Sequence, residues 1–289
     1  MDVFLCLGTD LVSAAGTFVV DAPVNERPCV DVVIPVFNGR ESIQAALNSV
    51  FEQKGEHIHR VIVIDDGSRD DTAQVVQILG NPLIELVRTP NQGVARARNL
   101  GIEKSTAEWI AFLDADDVWM PGKLAAQLTA AREHCAGFVC GSVSNQSLMP
   151  SGLISVKTLA RGNFVATSSV LVKRDILQKL QPVFTPGMSF AEDYLAWLKC
   201  VTLAPGYYIS TKLVDYILSE RPRYRWGQIL CNLVTMNTLY GVFLKTTEVP
   251  FLKRFGLSMV VFLGSLLSLL SIVKRFIQSY GTGTPKNES

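Results

Sequence analysis

Four apolar runs, each followed by a segment of different periodicity, limit what this chain can fold into more than any other feature of its sequence. They are "VDVVIPVF" (30–37), "RVIVIDDGS" (60–68), "LIELVR" (83–88) and "WIAFLDADD" (109–117). None shows the apolar/polar alternation of a half-exposed strand, so each predicts a strand covered on both faces, as in a parallel sheet. Between them, Ile43, Ala46, Leu47, Val50 and Phe51 fall at i, i+3, i+4, i+7 and i+8, which predicts one face of a helix. Asp70 or Asp71 predicts the cap of a second helix reaching about Leu79. A third helix is expected over 93–104, and a fourth opens at Pro121 and carries Leu124, Leu128 and Ala131. "GFVCGSVS" (137–144) predicts a fifth strand. The alternation predicts an α/β fold with a doubly wound, mostly parallel sheet over residues 28–220. Beyond residue 145 the rhythm weakens, with strand-like pieces "SSVLVKR", "GYYIS" and "LVDYIL" around one helix at 191–203.

Polar residues close these runs abruptly. In open α/β sheets ligands gather beyond the carboxyl ends of the strands, and there lie Asn38, Asp65-Asp66 and Asp114-Ala115-Asp116-Asp117. Taken singly, such acids form turns or cap helices, and Asp65 and Asp70 are read that way. Three clusters at one sheet edge predict a site. Clustered carboxylates repel one another, so a hard divalent cation is expected among them, Mn2+ or Mg2+, with positions left over for a diphosphate. Alternation along an extended strand end would send Asp114 and Asp116 to one face and Ala115 to the other. The turn "PVFNGRES" after the first strand lacks the Gly-x-Gly-x-x-Gly of a dinucleotide dehydrogenase. It is also not the glycine-rich basic loop of a nucleotidyltransferase.

The segments "VVIPVFNGRESIQAALNSVFEQ", "VIVIDDGSRDDT", "NQGVARARNLGI", "WIAFLDADDVWMPGKL" and "FAEDYLAWLKC" resemble, in order, the successive blocks of family 2 glycosyltransferases of GT-A fold. The resemblance covers about residues 30–220 and implies a role for each matching position. Pro35, Val36 and Phe37 would line the nucleotide base pocket, and Asp66 would accept a hydrogen bond from the base. Arg98 would approach base or phosphates, with Arg96 the neighbouring candidate. Asp114 would approach the ribose and the metal, and Asp116 would bind the metal directly. Asp193 would be the general base; an N-cap of the following helix is its structural alternative. Glu192 would orient the segment or touch the acceptor, and Trp197 belongs to the same acceptor-side helix. The activity implied is inverting transfer of a sugar from a nucleotide-diphosphate-sugar, UDP-linked in first expectation, to a hydroxyl acceptor such as a lipid-linked precursor of a surface glycan. The rival readings are transfer to polyprenyl phosphate and a non-catalytic, sugar-binding scaffold.

Charge separates the two ends of the chain. Residues 221–289 carry nine basic and two acidic side chains, while the remainder carries 18 basic and 24 acidic. That tail contains "FGLSMVVFLGSLLSLLSIV" (255–273), uncharged and flanked by Lys253-Arg254 and Lys274-Arg275. A basic, apolar tail predicts a membrane partner and not nucleic acid. Residues 221–289 are therefore expected to be a membrane-associating helical module, placing the catalytic domain at the cytoplasmic face. Residues 1–27 are an extension whose start, with Asp2 in place of a basic stretch, is a poor signal peptide. The six cysteines show no short paired spacing, which predicts a reducing compartment and no zinc site.

Overall fold

The computed structural model describes residues 29–53, 57–144, 149–159, 163–188 and 192–216. Both the expected tail (221–289) and the extension (1–27) lie outside them. In chain order the elements are β1 (Cys29–Val36), α1 (Ile43–Phe51), β2 (His57–Asp65), α2 (Thr72–Ile78), β3 (Ile84–Arg88) and α3 (Val94–Lys104). They continue with β4 (Trp109–Phe112), β5 (Asp117–Trp119), α4 (Lys123–Glu133), β6 (Phe138–Val143), β7 (Gly152–Ile154) and α5 (Val156–Leu159). The last are β8 (Leu171–Lys173), α6 (Arg174–Gln178), α7 (Glu192–Leu203) and β9 (Gly206–Tyr216). All strands join one sheet of order β3-β2-β1-β4-β8-β6-β9-β5, with β7 paired to β9.

The expected parallel sheet exists as the half β3-β2-β1-β4, where every pairing is parallel. The other half is mixed: β8 runs antiparallel to β4 and β6, β5 and β7 antiparallel to β9, and only β6 with β9 is parallel. "Mostly parallel" thus holds for the first half alone. The mixed half is built from short strands returning after loops, and antiparallel neighbours need no crossover helix. "GYYIS" and "LVDYIL", read as separate pieces, are one strand, β9.

The absence of alternation in β1 follows from its two covers. Val30, Val32, Ile34 and Val36 face a core with Ile43, Ala46, Leu47 and Val50 of α1 and Leu124 and Leu128 of α4. Val33 faces the opposite core with Ala95 and Ile102 of α3, Phe112, Phe138, Phe184 and Trp197. Helix α3 lies close against the sheet because residue 101 is glycine: a Cβ there would come within 2.3 Å of the Val33 side chain. Any larger residue would force α3 outward and displace the side chains it carries.

Among the described residues no helix is long and apolar enough to cross a membrane. Cys29, Cys140 and Cys200 are free thiols.

Candidate active site

Strand β1 lies between β2 and β4. The chain winds from β1 outward to β2 and β3, then returns to the other side of β1 with β4. The crevice at the carboxyl ends of β1 and β4 is therefore the topological switch point, where α/β sheets bind ligands. The turn after β1 is tied to the turn after β2. The Asn38 amide donates to Ser68 Oγ at 2.8 Å, the Asn38 side-chain oxygen accepts the Arg69 amide at 2.9 Å, and the Gly39 amide donates to Thr72 Oγ1 at 2.9 Å. Asn38 adopts φ 51°, a left-handed conformation that asparagine tolerates better than most residues. Of the three residues expected to line a base pocket, Pro35 and Val36 are buried and only Phe37, 49% exposed, presents its side chain to solvent. Val36 points into the core beneath the turn.

The acids after β2 divide by role. Asp65, fully buried, accepts the Ser68 amide at 2.8 Å and Arg88 Nε at 2.9 Å. Asp70 accepts the amide of Thr72 at 3.1 Å, whereas Asp71 at the helix boundary makes no capping bond. Asp66 accepts the Gln92 and Gly93 amides, each at 2.8 Å. Its carboxylate thereby ties the loop that opens α3 to the end of β2, with Gly93 at φ 90° allowing that approach. Asp66, expected to accept a hydrogen bond from the base, thus has a structural role in the described residues.

The acidic block is not an extended strand end. β4 stops at Phe112, and the Asp117 amide donates to the Asp114 carbonyl at 3.1 Å, closing a tight turn over Asp114–Asp117. The acids therefore do not alternate by pleat. Asp114 is partly buried, Asp116 is exposed, and Asp117 is buried with Oδ2 accepting Ser168 Oγ at 2.6 Å. A protein-borne cation also lies beside Asp114: Arg98 donates to Asp114 Oδ1 at 2.8 Å and to Glu192 Oε1 at 3.1 Å. Burial works against the Arg98 charge, but the Asp114 and Glu192 carboxylates outweigh it and hold its pKa above the usual arginine value. Arg98, expected near base or phosphates, thus bridges the third, fourth and fifth blocks. Arg96, the alternative, is exposed and donates to Gln92 Oε1 at 2.6 Å.

Glu192 and Asp193 open α7. Glu192, expected to orient this segment or touch the acceptor, is paired with Arg98. Asp193 accepts the amide of its neighbour Tyr194 at 2.6 Å, not one two or three residues ahead, so it is no N-cap. Thr167 Oγ1 donates to its other oxygen at 3.4 Å. Burial pushes the Asp193 carboxyl above the usual carboxylate range and the Glu192 charge adds to that, with Arg98 and the Tyr194 amide offsetting only part. Trp197, expected on the acceptor side, is fully buried between Phe112, Phe138 and Phe184, with ring centroids 5.5–5.7 Å apart. It anchors α7 in the core because its position, one turn after Asp193, lies on the inward face of the helix.

Among the described residues no group of three or more His, Cys, Asp or Glu could hold a metal by itself. The residues present still fit one. Asp116 and Asp114 are hard oxygen donors at the switch point, and Mg2+-like ions take one or two carboxylates and leave the rest to phosphates and water. Two features escaped the sequence reading. Ser168, 51 residues from Asp117, lies in no block. Asn99 binds the backbone of Phe184 through both side-chain atoms, at 2.6 and 3.0 Å; its only sequence signal was its place beside Arg98.

Comparison with known proteins agrees with this fold. The chain is similar to the Escherichia coli UDP-Glc:alpha-D-GlcNAc-diphosphoundecaprenol beta-1,3-glucosyltransferase WfgD, 25% identical over 176 residues, covering 58% of this chain and 68% of that protein. Its fold is similar to that of Staphylococcus aureus TarS 1-349 in complex with UDP-GlcNAc, with TM-score 0.68 and 17% identity over 83% of this chain and 72% of that one. It is also similar to the mannosyltransferase PcManGT from Pyrobaculum calidifontis in complex with GDP-Man and Mn2+, with TM-score 0.63 and 18% identity over 90% of this chain and 77% of that one. A family model described as glycosyl transferase family 2 matches residues 31–181. With the five ordered blocks and the site they build, that match shows that the chain belongs to glycosyl transferase family 2.

Proposed function

We propose that this glycosyltransferase moves a sugar, with inversion, from a nucleoside diphosphate donor to a neutral hydroxyl of its acceptor. The observation that carries the reading is the position of Asp193, a partly buried carboxylate in the first turn of α7, outside the Arg98 ion pairs yet beside them. Phe37 offers an exposed aromatic face for the base, and the Asp114–Asp117 turn offers carboxylates to the donor's phosphate end. Asp116, with Asp114 beside it, would hold Mn2+ or Mg2+, which when bound offsets the negative charge of the departing diphosphate.

In the transfer the acceptor oxygen attacks the anomeric carbon and its proton passes to Asp193. The bond from that carbon to the diphosphate oxygen breaks on the opposite face, and one displacement inverts the centre. A raised pKa suits Asp193 to this, because a more basic carboxylate accepts the proton more readily as the new bond forms. The same surroundings disfavour an anionic phosphate acceptor: Glu192, Asp114 and Asp193 face one another around Arg98, whose terminal nitrogens are directed at two of them. WfgD, by its name, acts on a diphosphoundecaprenol-linked GlcNAc. With the basic, apolar 221–289 segment, that supports a lipid-linked acceptor at the cytoplasmic face of a membrane.

Donor hydrolysis across a panel of UDP- and GDP-sugars, with and without chelator, tests the class and the metal together. The expected result is turnover on one donor that chelator abolishes. Full turnover in excess chelator removes the metal from the reading. Fractionation tests the tail: a protein wholly in the soluble fraction at low salt has no membrane module.

A further inference from the structure

We infer that Ser168 is a positioning residue for the donor: its one hydroxyl pins both corners of the acidic turn and so fixes where Asp116 points. The inference rests on the proposed donor role of that turn. Ser168 Oγ accepts the Asp114 amide at 3.0 Å and donates its proton to Asp117 Oδ2 at 2.6 Å. Asp114 and Asp117 are the first and last residues of the turn, already joined by their own backbone hydrogen bond at 3.1 Å. With both ends held on a single oxygen, the tip that carries Asp116 cannot rock without breaking two hydrogen bonds in a buried place, since Ser168 and Asp117 are each 1% exposed.

The clamp is itself held rigidly. The Ser168 carbonyl accepts Trp119 Nε1 at 2.9 Å, and the Ser169 carbonyl accepts Gln127 Nε2 at 2.8 Å. Gln127 Oε1 in turn accepts Lys123 Nζ at 2.7 Å, and that buried nitrogen lies 3.9 Å from the centre of the Trp119 ring. Helix α4 therefore supports the 167–169 turn from below, and the turn supports the acids above it. Thr167, the preceding residue, reaches Asp193. One three-residue turn consequently sets the spacing between the donor acids and the base. A donor site must be placed to within about 0.5 Å to work well, and a buried hydrogen-bonded hydroxyl achieves that without adding charge.

The test is titration of the purified full-length chain, and of its Ser168→Ala and Ser168→Cys variants, with UDP plus Mn2+ and separately GDP plus Mn2+. Donor KM, kcat and the thermal midpoint are measured alongside. Losing the clamp is expected to weaken nucleotide binding and raise donor KM by about tenfold or more, while acceptor KM changes less than threefold. Cysteine, nearly isosteric but a weak donor, should fall between serine and alanine, and it decides the matter should the alanine variant fail to fold. A Ser168→Cys or folded Ser168→Ala protein with parent-like nucleotide affinity and donor KM overturns the inference, even with a lowered thermal midpoint, because that is the signature of a merely structural serine. A parent that binds neither nucleotide overturns the donor reading and the clamp with it, a result distinct from a parent that binds and a variant that matches it.

Discussion

Two carboxylates, Asp31 at the amino end of β1 and Asp193 in the first turn of α7, are held in opposite states. At the amino end, Asp31 of β1 is fully buried and fully satisfied. It accepts Ser105 Oγ and the Thr106 amide at 2.7 Å, the Ala107 amide at 3.0 Å, and pairs with His59 Nδ1 at 2.9 Å. Arg60 and Lys104 balance Glu85 in the same layer, at 2.9 and 3.2 Å. At the carboxyl end, one cation, Arg98, is shared by Asp114 and Glu192, with Asp193 beside them. Burial is the largest influence on both Asp31 and Asp193 and raises each. At Asp31 the hydrogen bonds more than reverse it and the pKa ends lowered; at Asp193 the Glu192 charge compounds it and the pKa ends raised. Satisfied carboxylates hold the fold together, whereas the under-satisfied one is the residue proposed as the base.

The sharpest test of this contrast is Asp193→Asn. Turnover is expected to fall by roughly 10²–10⁴-fold, with donor affinity by calorimetry nearly unchanged. A parallel collapse of affinity would make Asp193 a donor-side or structural residue. Its stability should move the other way. A carboxyl whose folded pKa is raised favours the fold when protonated, and that contribution is lost as pH rises through its folded pKa. At neutral pH the amide should therefore unfold no earlier than the parent in urea.

Asp31→Ala should show the reverse pattern. It leaves a hydroxyl and two amides without their acceptor, at an expected cost of about 2–4 kcal/mol, while turnover per folded molecule stays at the parent level. Denaturant melts read against active-site titration decide it; lost activity in a fully folded variant would tie the amino end to catalysis.

The two acids should also separate in pH. Asp31 has a lowered folded pKa, so its stabilisation is complete above the unfolded carboxylate value of about 3.9 and fades as pH falls through the folded pKa. Asp193 should place the acid limb of the pH–rate profile above about pH 4, with activity rising as the base ionises. A rate profile flat from pH 4 to 8 would contradict an essential carboxylate base. The smallest effect belongs to the rim: Arg40 and Asp71 pair at 3.1 Å but are 61% and 58% exposed. Arg40→Ala should change stability by less than about 0.5 kcal/mol, and a larger loss would mean the rim shares in the buried networks.

Much of this was legible in order along the chain. Helix α1 begins and ends at Ile43 and Phe51, where the i, i+3, i+4 pattern put it, and α3 and α7 start within a residue of expectation. Buried runs such as 61–64 announced strands because two covered faces leave no place for a polar residue. Strand β5 was missed, since three residues reading Asp-Val-Trp carry no periodicity. They become a strand only because β9 arrives beside them.

The sequence by itself determined the doubly wound half, the membership of the family and which acids sit at strand ends, because burial patterns and short motifs are local in the chain. The tertiary structure decided which acid does what. Asp114 is neutralised by Arg98, Asp117 is locked by Ser168, Asp116 is left exposed and Trp197 is turned inward. Those differences arise from partners 16, 51 and more residues away. A carboxylate's charge state and direction depend on what surrounds it in space, which spacing along the chain does not record.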